Sequence, residues 1–250
     1  GCREHLLQTA RGRHLVVHLS AEAVRGYEQC QLWRTAQETA QIDKAQKLGK
    51  FLITVMYHYV RSEAPALPHF IYLHVDDFVR QIDLLLEEER PLSRAEFSNY
   101  FVTGEVPADG FVLTFDDGFR EHFENVIPAL LKRGLWGIFF VPTRILTTPK
   151  LLDVHRVHHL LGAFGGEFMM SQAKPLISDD MIMAGRRSEF SNRSYKNQIQ
   201  SENVTAFKQL FNYFLVPQAR SDILDQLMAK FFDEQDLHRD LYMTREMVSE

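Results

Sequence analysis

Two adjacent carboxylates, Asp116 and Asp117, are the residues whose types and spacing point most directly to chemistry. Like charges in a partly dry site repel, so one acid must be protonated, be solvated or face a cation. A divalent metal ion removes the difficulty, because one carboxylate binds the ion while the other accepts a proton from the water that the ion acidifies. An Asp-Asp-Gly sequence is also common in exposed turns at strand ends. Both interpretations stay open on spacing alone.

The elements around the pair place it at the end of a strand. Residues 111–115 form an apolar run that predicts a strand buried on both faces. Gly118 permits a sharp turn, and a helix is expected from about residue 125, because Pro128 suits the first turn of a helix. Residues 136–141 form a second strand-like run. Strand, helix and strand predict a parallel βαβ unit, in which functional groups collect at the carboxyl ends of the strands.

The flanking residues resemble a known family. Thr114-Phe115-Asp116-Asp117-Gly118, with Gly-Ile-Phe-Phe-Val at 137–141 one helix later, is similar to the first signature of the polysaccharide deacetylases, the NodB-homology domain of carbohydrate esterase family four. Residues 53–60 and 91–97 also resemble segments of the longer members. The resemblance implies an α/β fold, a distorted parallel β/α barrel at residues 51–250, with a mostly helical insertion at 162–235. Residues 1–50 then form an N-terminal extension of unclear structure.

The resemblance also implies roles for the two acids and a function. Asp116 is the expected general base and Asp117 the expected ligand of one divalent metal ion, most often zinc. The implied activity is a metal-dependent hydrolase that removes acetyl groups from N-acetylated sugars, with a carbohydrate as substrate. Two alternatives stay open: a catalytically incomplete glycan-binding relative of the same fold, or a barrel hydrolase that acts on another ester or amide.

Histidines are needed to complete such a site. The family uses a motif of His, Ser or Thr, two further residues and His, whereas the His-x-x-x-His run at 155–159 has no Ser or Thr after its first histidine. His155 and His159 share a helix face and are candidate ligands, although their apolar neighbours also suit packing residues on an amphipathic helix. We expect the second motif to lie beyond Glu250 instead, which would leave the barrel incomplete at its C-terminus. His58, at the end of a predicted strand, is a candidate for supporting the site without binding the ion.

Composition narrows the choice of partners. The chain has 250 residues and a formal net charge of −5, which gives no electrostatic reason to expect nucleic acid. No run of about eighteen apolar residues predicts a membrane span, and no secretory signal is recognisable, which favours a cytoplasmic location. The oligomeric state is not indicated.

Apolar spacing predicts further helices outside the motif. We expect them at 75–89, at 25–47, and as two consecutive amphipathic helices at 204–215 and 223–232. The stretch from 162 to 203, with its Gly165-Gly166 pair, reads as loops and short helices.

Overall fold

The computed structural model describes residues 4–9, 12–18, 51–106, 108–183, 185 and 201–250. Contacts divide the chain into two compact units, Gly1–Ser62 with Tyr72–Val141, and Glu63–Ile71 with Pro142–Glu250. The single domain expected at 51–250 from the sequence stays a prediction. The helix expected at 25–47 lies outside the described residues.

The first unit is built on a mostly parallel sheet. Its strands are β1 (Glu4–Thr9), β2 (Gly12–His18), β3 (Phe51–Tyr57), β4 (Val60–Arg61), β5 (Leu73–His74), β6 (Gly110–Phe115) and β7 (Ile138–Phe139). Five of them form one sheet in the order β1-β2-β3-β6-β7, in which only the β1–β2 pair is antiparallel, and β4 and β5 form a separate parallel pair. The predicted α/β class with parallel strands is confirmed. The described strands form an open sheet, and two of them come from the segment predicted to be an extension.

Apolar layers cover both faces of this sheet. Phe111, Leu113 and Phe115 of β6 enter one core, whereas Val112 enters another. The first core is completed by α1 (Val75–Glu88) through Phe78, and the second by α2 (Arg94–Thr103). Burial on both faces explains why β6 reads as a continuous apolar run instead of an alternating one.

The crossover from β6 to β7 begins earlier than the sequence indicates. A π-helical turn at His122–Val126 leads directly into α3 (Ile127–Leu131), and Pro128 lies in the first turn of that helix. The chain then reverses at Gly134, whose φ is +64°. A Cβ on Gly137 would lie 2.7 Å from the Phe115 ring, so this position next to β6 requires glycine.

The second unit is helical in its described residues. It contains α4 (Asp153–Ala173), α5 (Glu202–Gln209), α6 (Pro217–Phe231), α7 (Glu234–Leu241) and α8 (Arg245–Ser249). The expectation of loops from residue 162 is wrong up to Ala173, because α4 continues with a kink at Gly165, where φ is +74°. A Cβ on the next residue, Gly166, would lie 2.5 Å from the backbone nitrogen of Val204, so the glycine permits close packing against α5. Within the described part of the chain, no helix has the length and apolar character to cross a membrane.

Candidate active site

The turn after β6 has an unusual backbone. Asp117 has a φ of +78°, and it is the one non-glycine residue with a positive φ in the described part of the chain. Gly118 follows with a φ of +65°. Side chains with a Cβ are disfavoured in this left-handed region, and aspartate tolerates it better than most. Strained backbone of this kind is concentrated at functional sites.

Three titratable side chains meet at this turn. His58 Nε2 lies 3.9 Å from an oxygen of Asp116 and 3.9 Å from an oxygen of Asp117. The two carboxylates are 26% and 25% exposed and the imidazole is 39% exposed, so all three are within reach of both solvent and a substrate. The structure therefore brings together both predicted aspartates and His58.

Strand register explains the meeting of His58 and Asp116. Tyr57 of β3 pairs with Phe115 of β6, and the Asp116 amide donates a hydrogen bond of 3.0 Å to the Tyr57 carbonyl, so His58 and Asp116 form the next row. Phe139 of β7 pairs with Phe115 in the same way, and the Phe140 amide donates to the Phe115 carbonyl at 2.8 Å.

The register row of His58, Asp116 and Phe140 crosses three strand ends. Below it, the Phe115 ring stacks between those of Tyr57 and Phe139, with centroids 5.5 Å and 4.8 Å away. Phe140 is 55% exposed. The row therefore offers an imidazole, a carboxylate and an exposed aromatic ring.

The environment of Asp116 suits a proton acceptor. Burial raises the pKa of its carboxyl above the ordinary value, the charge of Asp117 raises it further, and His58 acts in the opposite direction. A carboxylate with a raised pKa holds a captured proton more firmly, which makes it a better general base.

A buried histidine below the site was missed by the sequence analysis. His122 is fully buried, and its Nε2 lies 2.6 Å from the His58 carbonyl oxygen, which can only accept, so Nε2 carries the proton. Its ring packs against Phe115 and Phe119. Burial lowers the pKa of His122 to about 4, and the hydrogen bond to His58 opposes this. The available signal was a histidine inside the apolar run after the Asp-Asp-Gly turn.

The candidate ligands His155 and His159 lie on α4 of the second unit, whereas Asp117 belongs to the first. Both are buried. His155 Nδ1 is 2.5 Å from the hydroxyl oxygen of Tyr242, and His159 Nδ1 donates to the His155 carbonyl at 2.9 Å. Their assignment as metal ligands stays a prediction.

The donor set is only partly suited to a metal ion. Carboxylate oxygens and an imidazole nitrogen are ligands that zinc accepts. Among the residues that the structure describes, however, no group of three or more His, Cys, Asp or Glu side chains is arranged to hold an ion. Asp116, Asp117 and His58 therefore do not form a complete site by themselves.

Fold and site together define an α/β protein with a carboxylate pair and a histidine at the carboxyl ends of parallel strands. No protein-family model and no curated protein matches the sequence. Several solved structures are similar to part of the chain, and two of them follow. IcaB from Ammonifex degensii is 25% identical over 41% of this chain and 42% of its own, with a TM-score of 0.34. The Streptococcus pyogenes deacetylase PplD, in complex with acetate, is 26% identical over 36% and 42%, with a TM-score of 0.31. This chain thus spans less than half the length of either, and TM-scores this low define no shared fold.

Proposed function

We propose that this protein is a carbohydrate N-deacetylase, a hydrolase that removes acetyl groups from the N-acetylated sugars of a glycan. The observation that carries the proposal is the approach of His58 Nε2 to within 3.9 Å of both Asp116 and Asp117 at the mouth of β6. The Thr-Phe-Asp-Asp-Gly signature at 114–118 supplies the substrate class through its family resemblance. The same resemblance extends the proposal to a β/α barrel, of which the described sheet would be a part.

Asp116 and His58 divide the proton transfers in the proposed reaction. Asp116 accepts a proton from the water molecule as its oxygen bonds to the acetamide carbonyl carbon. His58 then donates a proton to the amine nitrogen as the carbon–nitrogen bond breaks. Acetic acid and a free amino sugar leave, and the acid ionises to acetate in solvent. The proton held by Asp116 returns to His58, 3.9 Å away, so that both groups are ready for the next turnover. Because His58 lies 3.9 Å from both carboxylates, it can serve the same reacting centre as Asp116.

Asp117 has a different proposed role. Its carboxylate faces the reacting centre without being needed as a base, and we assign it to a divalent cation, with zinc as the proposed ion. Such an ion, when bound, polarises a carbonyl and stabilises the negative charge that develops on its oxygen. Asp117 also raises the pKa of Asp116, so it strengthens the base even by itself.

Acetate release from N-acetylglucosamine oligomers tests the assignment of Asp116. Asp116→Asn keeps the shape of the side chain and removes the base, so turnover should fall by about 100- to 10,000-fold. Asp76→Asn is the matched control, because Asp76 is 72% exposed in the first turn of α1 and should leave the rate unchanged. An Asp116→Asn protein with the rate of the wild type would exclude Asp116 as the base. Activity confined to simple aryl acetates would favour a hydrolase of another ester.

Calorimetric titration with zinc tests the assignment of Asp117. We expect Asp117→Ala to abolish binding, because a ligand is removed, and Asp116→Asn to retain it. Equal affinity of the wild type and Asp117→Ala would show that Asp117 does not hold the ion, while leaving the role of Asp116 as base intact.

A further inference from the structure

We infer that Glu121, His122 and Asn125 act together as a clamp that holds the backbone at residues 58–60, and that this clamp positions the His58 imidazole at the carboxylate pair. The kinetic part of the inference rests on the proposed function. The structural part concerns only where the His58 ring lies.

The three side chains hold three neighbouring backbone groups. His122 Nε2 donates to the His58 carbonyl at 2.6 Å. Glu121 Oε1 accepts from the Val60 amide at 2.5 Å, and Asn125 Nδ2 donates to the Val60 carbonyl at 3.0 Å. All three come from the helical segment that follows the Asp-Asp-Gly turn. The segment that carries the carboxylates is therefore tied directly to the one that carries His58.

Residues 58–59 have no regular structure of their own to fix them. β3 ends at Tyr57, and β4 begins at Val60 and has only two residues. The clamp is supported at both sides, because Glu121 pairs with Arg61 at 2.7 Å and the Tyr59 ring stacks on Phe119 with centroids 4.2 Å apart. The Tyr59 carbonyl accepts a further hydrogen bond of 3.0 Å from the Leu73 amide, so the clamp holds His58 and Val60 while β5 holds the residue between them.

Packing alone does not explain why residue 122 is a histidine. Its ring is enclosed by aromatic side chains, and among the described residues the buried Nδ1 has no hydrogen-bond partner. An apolar side chain would fill this space without leaving a buried nitrogen unpaired. Within the described part of the chain, the imidazole makes one hydrogen bond, to the His58 carbonyl. The π-helical turn that begins at His122 is a feature often found at functional sites.

Substitution of His122 separates positioning from packing. His122→Leu removes the donor, and we expect kcat for acetate release to fall about 100-fold with little change in KM, as for a displaced catalytic group. In His122→Gln the amide nitrogen can take the place of Nε2, and this variant should recover most of kcat. Asn125→Leu removes a second clamp contact and should also lower kcat. This variant provides the test if His122→Leu does not fold. Equal kcat for wild type, His122→Leu and Asn125→Leu would overturn the inference.

Histidine side-chain NMR tests the clamp without relying on activity. The His58 signals, assigned with His58→Gln, should move when Asp116→Asn is introduced into the wild type or into His122→Gln. In His122→Leu, the change in the His58 chemical shift caused by Asp116→Asn should be less than half as large, because the His58 ring no longer lies at the carboxylates. An undiminished response in His122→Leu would refute the clamp. If the wild type released no acetate from any glycan, the proposed function would fail while this measurement would still decide the clamp.

Discussion

Acid should destabilise the first unit through His122. Its ordinary pKa is 6.5 and burial lowers it to about 4 in the folded chain. Between pH 6.5 and pH 4 the unfolded chain binds a proton that the folded chain does not bind. The free energy of unfolding therefore has its full value above pH 6.5 and declines as the pH falls towards 4. At about 1.4 kcal/mol per pH unit, the full loss is about 3 kcal/mol, and about 2 kcal/mol is lost by pH 5.

The environment of His122 explains the size of this effect. Protonation would place a second N–H, on Nδ1, among the rings of Phe115 and Phe119, where the described residues give Nδ1 no hydrogen-bond partner. His58 and Asp117 are the charged groups that act on His122: the charge of His58 lowers its pKa, whereas that of Asp117 raises it. The contribution of burial is larger than that of either neighbour.

Urea unfolding from pH 7 to pH 4.5, followed by circular dichroism and tryptophan fluorescence, measures the effect. His122→Gln does not titrate and provides the same donor to His58, so its stability should fall less steeply with acid than that of the wild type. The carboxylates titrate in both proteins and cancel in the difference. His69→Gln, at an exposed histidine of the second unit, is the matched control and should follow the wild type. Parallel curves for the wild type and His122→Gln would refute the reasoning.

Three further substitutions test other parts of the structure. Arg156→Met should cost about 3–5 kcal/mol in urea unfolding, because it removes a buried guanidinium that pairs with the partly buried Glu234 at 2.6 Å. Lys150→Met, at an exposed pair with Asp225, should cost less than about 1 kcal/mol, and equal losses would contradict this expectation. Phe140→Ala should raise KM for N-acetylglucosamine oligomers about three- to tenfold by removing an exposed ring in the row of Asp116, and an unchanged KM would exclude this contact. Asp117→Gly should abolish zinc binding and raise thermal stability.

Local pattern was sufficient for the elements that support the site. The apolar run of β6 and the helical spacing of α1 depend on burial along one element, and both lie where the sequence predicts them. The position of Asp116 and Asp117 at a strand end follows from the same pattern. The approach of His58 was anticipated only as a possibility, because it depends on β3 and β6 being neighbours.

Contacts between distant residues were beyond the sequence. The bonds of Glu121, His122 and Asn125 to residues 58–60 span 61 to 65 positions, and no periodicity signals them. In α4, the Gly165-Gly166 pair resembles a loop because glycine is a poor helix former. The close approach of Val204 accounts for Gly166, but that approach is visible only when α5 is in place.

The conformation of Asp117 was equally invisible, and it makes the expected stability of Asp117→Gly informative. A residue with a Cβ pays a penalty of about 1–2 kcal/mol at a φ of +78°, and glycine avoids it. Glycine also gives the unfolded chain more conformational freedom, which cancels about 0.5–1 kcal/mol of that gain in stability. Removal of the carboxylate also relieves its repulsion of Asp116. Asp117→Ala separates the two effects, since it loses the charge and keeps the Cβ. We expect Asp117→Gly to be more stable than Asp117→Ala by about 1 kcal/mol. If the two variants melted together, the backbone at residue 117 would hold no strain, and the conformation of the turn could not be attributed to the demands of the site.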